Sequence, residues 1–313
     1  MPPRSKKAVV TLSVISNTSL VIGKAIIGLL SGSVSIISEA AHSAMDLLAA
    51  LIAFFAVHTA SKPADEEHRF GHGKIENISG VIEALLIFVA AAWIISEAIH
   101  KLSAPRPLES LGLGMAVMLA SSAVNWYVAT MLFETGKREE SPAIIADAWH
   151  LMTDVYTSLG VAGGLAVIYL GGKLFPNVNL LWLDPVCAIA VALLIIKAAW
   201  HLVIESGRDL LDESLPAEEQ KKIAAALAAL APELRSFRNM RTRKAGAVRF
   251  VEIDAVVDSA MSVEDSHKLS DRIEAAVKGL FQQAVVTVHM EPCEKDCPKD
   301  CAPACTHLPS AGA

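Results

Sequence analysis

The sequence predicts an α-helical membrane bundle of six spans joined to a small α+β domain. Three observations carry that prediction. Of 313 residues, 53% are hydrophobic and only 19% charged, a balance too apolar for an ordinary soluble domain. The excess is confined to the first two thirds, where one run of eighteen or more mostly apolar residues follows another. Beyond residue 206 the polarity is ordinary and the pattern changes to short amphipathic and strand-like stretches. The expected organisation is a membrane domain over 1–206, an α+β domain over 207–292 and a tail over 293–313.

Apolar length and punctuated ends place the spans at about 8–30, 33–60, 75–101, 110–135, 142–170 and 181–204. An even number puts both termini on one side of the bilayer. Arg4, Lys6, Lys7, Lys62, Arg69, Lys74, Lys137 and Arg138 all fall on that side. The opposite side has only Lys101, Arg106 and Lys173. The positive-inside rule therefore places both ends in the cytoplasm, as for a multi-pass protein of the cell (inner) membrane. The basic start MPPRSKKAVV runs into a segment too long for a signal core, with no small-residue cleavage site, so the first span is expected to stay.

The second region reads as an amphipathic helix in PAEEQKKIAAALAALAP, a strand in FRNMRTRKAG, a strand in VRFVEIDAVV, a helix in SVEDSHKLSDRIEAAVKGLF and a strand in AVVTVHMEP. This αββαβ order predicts a ferredoxin-like layer of helices on one face of an antiparallel or mixed sheet. No periodicity follows Pro292. A net charge of −6 argues against nucleic acid, whose phosphates demand a basic face. Four of five cysteines crowd the C-terminus and Cys187 lies in an apolar run, so no disulfide framework is expected.

Two stretches carry chemistry. EAAHSAMD, Glu39 to Asp46, lies in span 2, and DAWHLMTD, Asp147 to Asp154, repeats its acid-A-x-H-x-x-x-D pattern in span 5. Positions four apart share a helix face, so His42 and Asp46 project together, as do His150 and Asp154. An ionisable group near the bilayer centre costs about 2.5–3.5 kcal/mol on insertion scales, so these four must face one another, water or an ion. Two imidazoles and two carboxylates form a donor set suited to a tetrahedral divalent ion such as zinc. The plainer alternative is a pair of core histidines satisfied by neighbouring carboxylates; two matching pairs on separate spans weigh against it. Glu39 and Asp147, one turn earlier, could orient the imidazoles or simply lie nearer the aqueous ends. Ala40, Ala41, Ala44 and Gly160 are expected close-packing positions, and Trp149 either narrows access or packs against lipid.

The paired motifs, the connection PADEEHRFGHGKIE, the LDP opening of span 6 and the following LLDESLP resemble the cation diffusion facilitator family over nearly all of residues 8–292. The resemblance implies a homodimeric exporter that moves a divalent cation out of the cytoplasm in exchange for protons. His42, Asp46, His150 and Asp154 match the family's transport site, and the two-histidine version resembles its zinc branch, with Co²⁺, Cd²⁺ or Fe²⁺ as further cations. It also implies a second metal at Asp65, His68 and His72, and an ion pair between Lys74 and Asp212. In the α+β domain, where relatives often carry histidine, this sequence has Asn239 and Asp254. An amide is a poor zinc ligand, so the departure weighs against the two-metal centre that the resemblance implies and leaves one metal, held among Asp254, His267, His289 and Glu291, as the expectation. In the tail, Cys293, Cys297, Cys301 and Cys305 recur every four residues and offer thiolates for metal capture.

Two other classes compete. A membrane metalloenzyme would need a general base beside its ligands, as in HExxH, and neither HSAMD nor HLMTD supplies a glutamate after its histidine. A non-transporting metal sensor or assembly partner would use the aqueous domain as its readout. Metal flux in sealed vesicles separates all three.

Overall fold

The computed structural model describes residues 5–31, 34–103, 113–174 and 182–293. It divides into two compact units, Met1–Gly207 and Arg208–Ala313.

The first unit holds six long helices: α1 (Lys6–Ser31), α2 (Val34–Ala60), α3 (Lys74–Ser103), α4 (Leu113–Arg138), α5 (Pro142–Leu174) and α6 (Leu183–Leu210). Their punctuation is that of the sequence. Pro142 occupies the first position of α5, where its missing N–H costs no hydrogen bond. Among the described residues, stretches of α1, α2, α3, α4 and α6 are long and apolar enough to cross a membrane, and α5 is the longest helix at 33 residues. Leu30, Val89 and Trp93 stand exposed, as a lipid-facing surface requires.

Helices α1, α2, α4 and α5 pack on one another, with α3 against α2 and α5. α6 joins α3 where Ile87 and Ala91 meet Ala192, Ile195 and Ala199. Close approach on α2 uses Ala49, Ala50 and Ala53, all fully buried. Of the small residues expected to do this, Ala40 is buried but Ala41 and Ala44 are exposed, because they project from another side of the helix. Gly160 fulfils its role: a Cβ there would lie 2.9 Å from Val191 Cγ2 on α6. Trp149 meets the Phe133 ring of α4 edge-on at 5.2 Å between centroids and also packs against the apolar cluster of α3 and α6. At one end of the unit, Glu76 is buried where α3 begins. It pairs with Lys6 of α1 at 3.2 Å and accepts a hydrogen bond from the Ser141 hydroxyl ahead of α5.

The second unit contains α7 (Ala217–Ala228), β1 (Ser236–Ala245), β2 (Val248–Val257), α8 (Val263–Lys278) and β3 (Ala284–Pro292), the αββαβ order of the sequence reading. The sheet is mixed, with β2 central, antiparallel to β1 and parallel to β3. Alternation along β2 sends Val251, Ile253, Ala255 and Val257 into a core with Ile223 and Leu227 of α7 and Leu269, Ile273 and Val277 of α8. Ser262 caps α8, its hydroxyl oxygen accepting from the Asp265 N–H. Arg249 is buried and forms a two-pronged pair with Glu219 at 2.7 and 3.0 Å.

Candidate metal centre

Spacing places His42 and Asp46 on one face of α2, and His150 and Asp154 on one face of α5. Helices crossing a membrane in succession alternate in direction, so α2 and α5 run antiparallel. The first ligand of one pair therefore lies level with the second of the other. His42 Nε2 lies 3.4 Å from Asp154 Oδ1, and His150 Nε2 lies 3.3 Å from Asp46 Oδ1. Each histidine thus meets the aspartate of the facing helix, not the one on its own.

Burial is uneven across the set. The Asp46 and His150 side chains are 4% and 12% exposed, whereas the His42 side chain is 43% exposed. Donor atoms of His42, Asp46 and Asp154 all lie within 4.8 Å of one another, and His150 joins them through Asp46. With imidazole and carboxylate donors this close, the group can hold a divalent cation. The same groups can take up protons when the cation leaves.

Two cavities flank the site. One of about 200 Å³ is lined by Lys24, Ser121, Ser122 and Asn125 together with His42, Asp46 and Asp154. The other, about 340 Å³, opens beside α3 and α6, where Trp93, Glu97 and Ala188 share the lining with Glu39, His42 and Asp154. Exposure of His42 is therefore access, since the imidazole stands in the wall of both.

Two neighbours of the site and one further buried carboxyl were not read from the sequence. Asn125 of α4 donates from Nδ2 to Asp154 Oδ2 at 3.2 Å, while its own Oδ1 is buried without a partner. Lys24 of α1, 5% exposed, donates to Glu39 Oε2 at 3.1 Å and to Ser43 Oγ at 2.9 Å. Glu83 of α3 is fully buried, its carboxyl accepting from the Ser79 hydroxyl at 3.0 Å. Each was signalled by a polar or ionisable residue inside an apolar run. Lys24 also accounts for Glu39, whose carboxylate pairs with that ammonium. Asp147 is fully buried, and no hydrogen bond joins its oxygens to an imidazole.

A second cluster lies between α2 and α3. Asp65 Oδ1 accepts from the His68 N–H at 2.6 Å and the Glu67 N–H at 3.1 Å. Its carboxylate reaches both imidazoles, His68 Nδ1 at 3.3 Å and His72 Nε2 at 3.2 Å. Gly71, at φ +82°, supplies the left-handed residue that turns the chain between them. The His68 backbone N–H, before any other cause, holds the Asp65 carboxyl below the usual carboxylate range.

Among the described residues, these are the two groups in which three metal-ligating side chains gather so closely. Asp254, His267, His289 and Glu291 do not form a third within this chain. Asp254 and His289 are register partners on β2 and β3, but Asp254 accepts from Asn239 at 2.7 Å, and Glu291 pairs with Arg238. His289 stays 3.9 Å from Glu291, and His267 is exposed on α8. The amide and the guanidinium occupy the carboxylates that a metal would need. Asp212 lies 3.5 Å from Arg243 in its own unit. Cys293 is half-buried, its N–H bonded to the Val257 carbonyl at 2.8 Å, while Cys297, Cys301 and Cys305 lie outside the described residues.

Comparison with known proteins decides the family. The family model for the cation efflux transmembrane domain matches residues 10–211, and that for the cation efflux protein cytoplasmic domain matches residues 215–293. The chain belongs to the cation efflux, or cation diffusion facilitator, family. An uncharacterized transporter of Synechocystis sp. is 37% identical over 265 residues, 85% of this chain and 83% of that protein. The cation-efflux pump FieF of Klebsiella pneumoniae is 28% identical over 263 residues, 83% of this chain and 84% of its own. The metal-bound C-terminal domain of the CzcD transporter from Thermotoga maritima is 32% identical and covers 24% of this chain and 87% of its own, with a TM-score of 0.23. This cation efflux protein is a multi-span membrane transporter and not an enzyme, so the metalloenzyme reading is set aside.

Proposed function

We propose that this cation efflux protein exports zinc from the cytoplasm in exchange for protons. His42, Asp46, His150 and Asp154 bind the travelling ion, and both termini lie on the cytoplasmic side of the inner membrane. The crossed pairing of His42 with Asp154 and of His150 with Asp46 carries the reading, because it gathers both donor types from two helices inside the bundle. Zinc accepts a tetrahedral set of imidazoles and carboxylates with little geometric cost; Co²⁺, Cd²⁺ and Fe²⁺ can use the same atoms with less preference.

Exchange follows from competition. The dication binds once protons have left the imidazoles and carboxylates, and protons arriving from outside expel it. Alternating access of the bundle presents the site first to one side and then to the other. The Asp65, His68 and His72 cluster, with its aspartate and first histidine exposed and His72 buried, takes a second ion in a regulatory or entry role. The αββαβ unit supplies the contact of a homodimer, a reading supported by the match to the family's cytoplasmic domain.

The test is zinc-driven proton flux in sealed proteoliposomes. Asp46→Ala and Asp154→Ala are each expected to lower flux at least about a hundredfold, while Asp65→Ala keeps most of it. Flux retained in both intramembrane variants overturns the assigned site. A parent protein that binds zinc yet moves none would leave the sensor reading standing.

A further inference from the structure

An ammonium inside a membrane helix is costly unless it is paired. Lys24 is paired, and where it is paired is the informative point. Glu39 and Ser43, which accept its hydrogen bonds, lie three residues before and one residue after His42 on α2. Lys24 lines the same cavity of about 200 Å³ as His42, Asp46 and Asp154. The wall of the proposed dication compartment thus contains a paired ammonium of the protein's own. A neutral donor of similar length would tie α1 to Ser43 on α2 as well, so the tie alone does not call for a charge at that point.

Coulomb interaction between a dication and a unit charge in the same partly dry cavity is large, and its sign is fixed. A positive charge there weakens cation binding, and a negative one strengthens it. Glu39 offsets Lys24, and it also lines the larger cavity beside α3 and α6. A transporter gains from such a counterweight. A site that holds zinc too tightly loads well but empties slowly, so turnover requires a grip weaker than its ligands alone would give.

We propose that the Lys24–Glu39 pair sets the dication affinity of the transport cavity, the ammonium loosening the grip and the carboxylate limiting that loosening. The proposal rests on the dication site described above, and the following measurement separates the two. Full-length protein in detergent is titrated with zinc against a chromophoric chelator at fixed pH and salt. Each variant is measured with and without Asp154→Ala, and the difference between the two titrations is the binding that belongs to the cavity.

Lys24→Met is expected to tighten cavity binding by about tenfold or more, and Glu39→Gln to weaken it by a similar factor. The double variant returns to within about threefold of the parent, since the two charges cancel. Lys24→Arg, which keeps the charge, stays near the parent. A purely structural tie would make both single variants worse and the double no better. If Lys24→Met does not fold, weakening by Glu39→Gln that reverses in the double variant carries the same information. The proposal is overturned if both single changes shift affinity in one direction, or neither shifts it, while Asp154→Ala still abolishes a site. If Asp154→Ala removes no binding from the parent, the dication site itself is wrong and the proposal falls with it.

Discussion

Asp154 has a neighbour on each of two helices, His42 on α2 and Asn125 on α4, and the second decides how firmly the first is met. The Asn125 amide fixes one carboxylate oxygen and leaves the other turned toward the imidazole. Partners of this kind typically change metal affinity by about 10–100-fold when removed. Asn125→Ala is therefore expected to weaken zinc binding within that range with little loss of thermal stability, as read by chelator competition beside a melting curve. The four residues proposed as ligands were legible because each helix repeats its residues at a helical interval. Lys24 and Asn125 stood out as polar residues in apolar runs, but what they pair with did not, because their partners lie on other helices. Spacing along the chain carries no record of such contacts.

At the scale of elements, α4 and α5 approach where glycine allows it. A Cβ at Gly136 would lie 2.9 Å from Ile145 Cγ1 and 3.2 Å from the Ile145 backbone nitrogen, so something in α5 must move to admit it. Gly136→Ala is expected to destabilise the bundle by about 1–3 kcal/mol, the cost of overpacking, and thermal melts in detergent measure it. The loop between α2 and α3 responds to acid instead. Its Asp65 carboxyl is held down chiefly by the His68 N–H, so its contribution is complete above the unfolded value, about 3.9. It is lost as pH falls through the lower folded value. Hydrogen exchange at the His68 amide is expected to show protection at pH 5 and above, about, fading below pH 4 or so. Helix and strand boundaries were read closely because prolines, glycines and a serine cap mark them. The failure at Ala41 and Ala44 has a plain cause: residue size says which positions permit contact, whereas helix rotation says which ones make it.

For the whole molecule, the division into a membrane unit and a sheet-bearing unit was visible as a change in polarity near residue 207. The register that brings Asp254 beside His289, and the polar partners that then occupy those groups, were not visible, because they depend on which strands pair. Within the sheet unit, Arg249 contributes both a charge pair with Glu219 and a ring contact, its guanidinium 4.6 Å from the centre of Phe281. Arg249→Met is expected to lower that unit's stability by about 2 kcal/mol, seen as faster hydrogen exchange through β2, with zinc flux largely kept. Removal of residues 294–313 is likewise expected to spare flux in proteoliposomes, since every side chain assigned to the travelling ion lies in the first unit.

The antiparallel run of α2 and α5 makes the centre a ladder of two rungs, His42 with Asp154 and Asp46 with His150, about 6 Å apart along the axis. A slide of one helix past the other by a single residue's rise, about 1.5 Å, stretches both rungs together. If these four residues carry the ion as proposed, grip and let-go are tied to one mechanical coordinate.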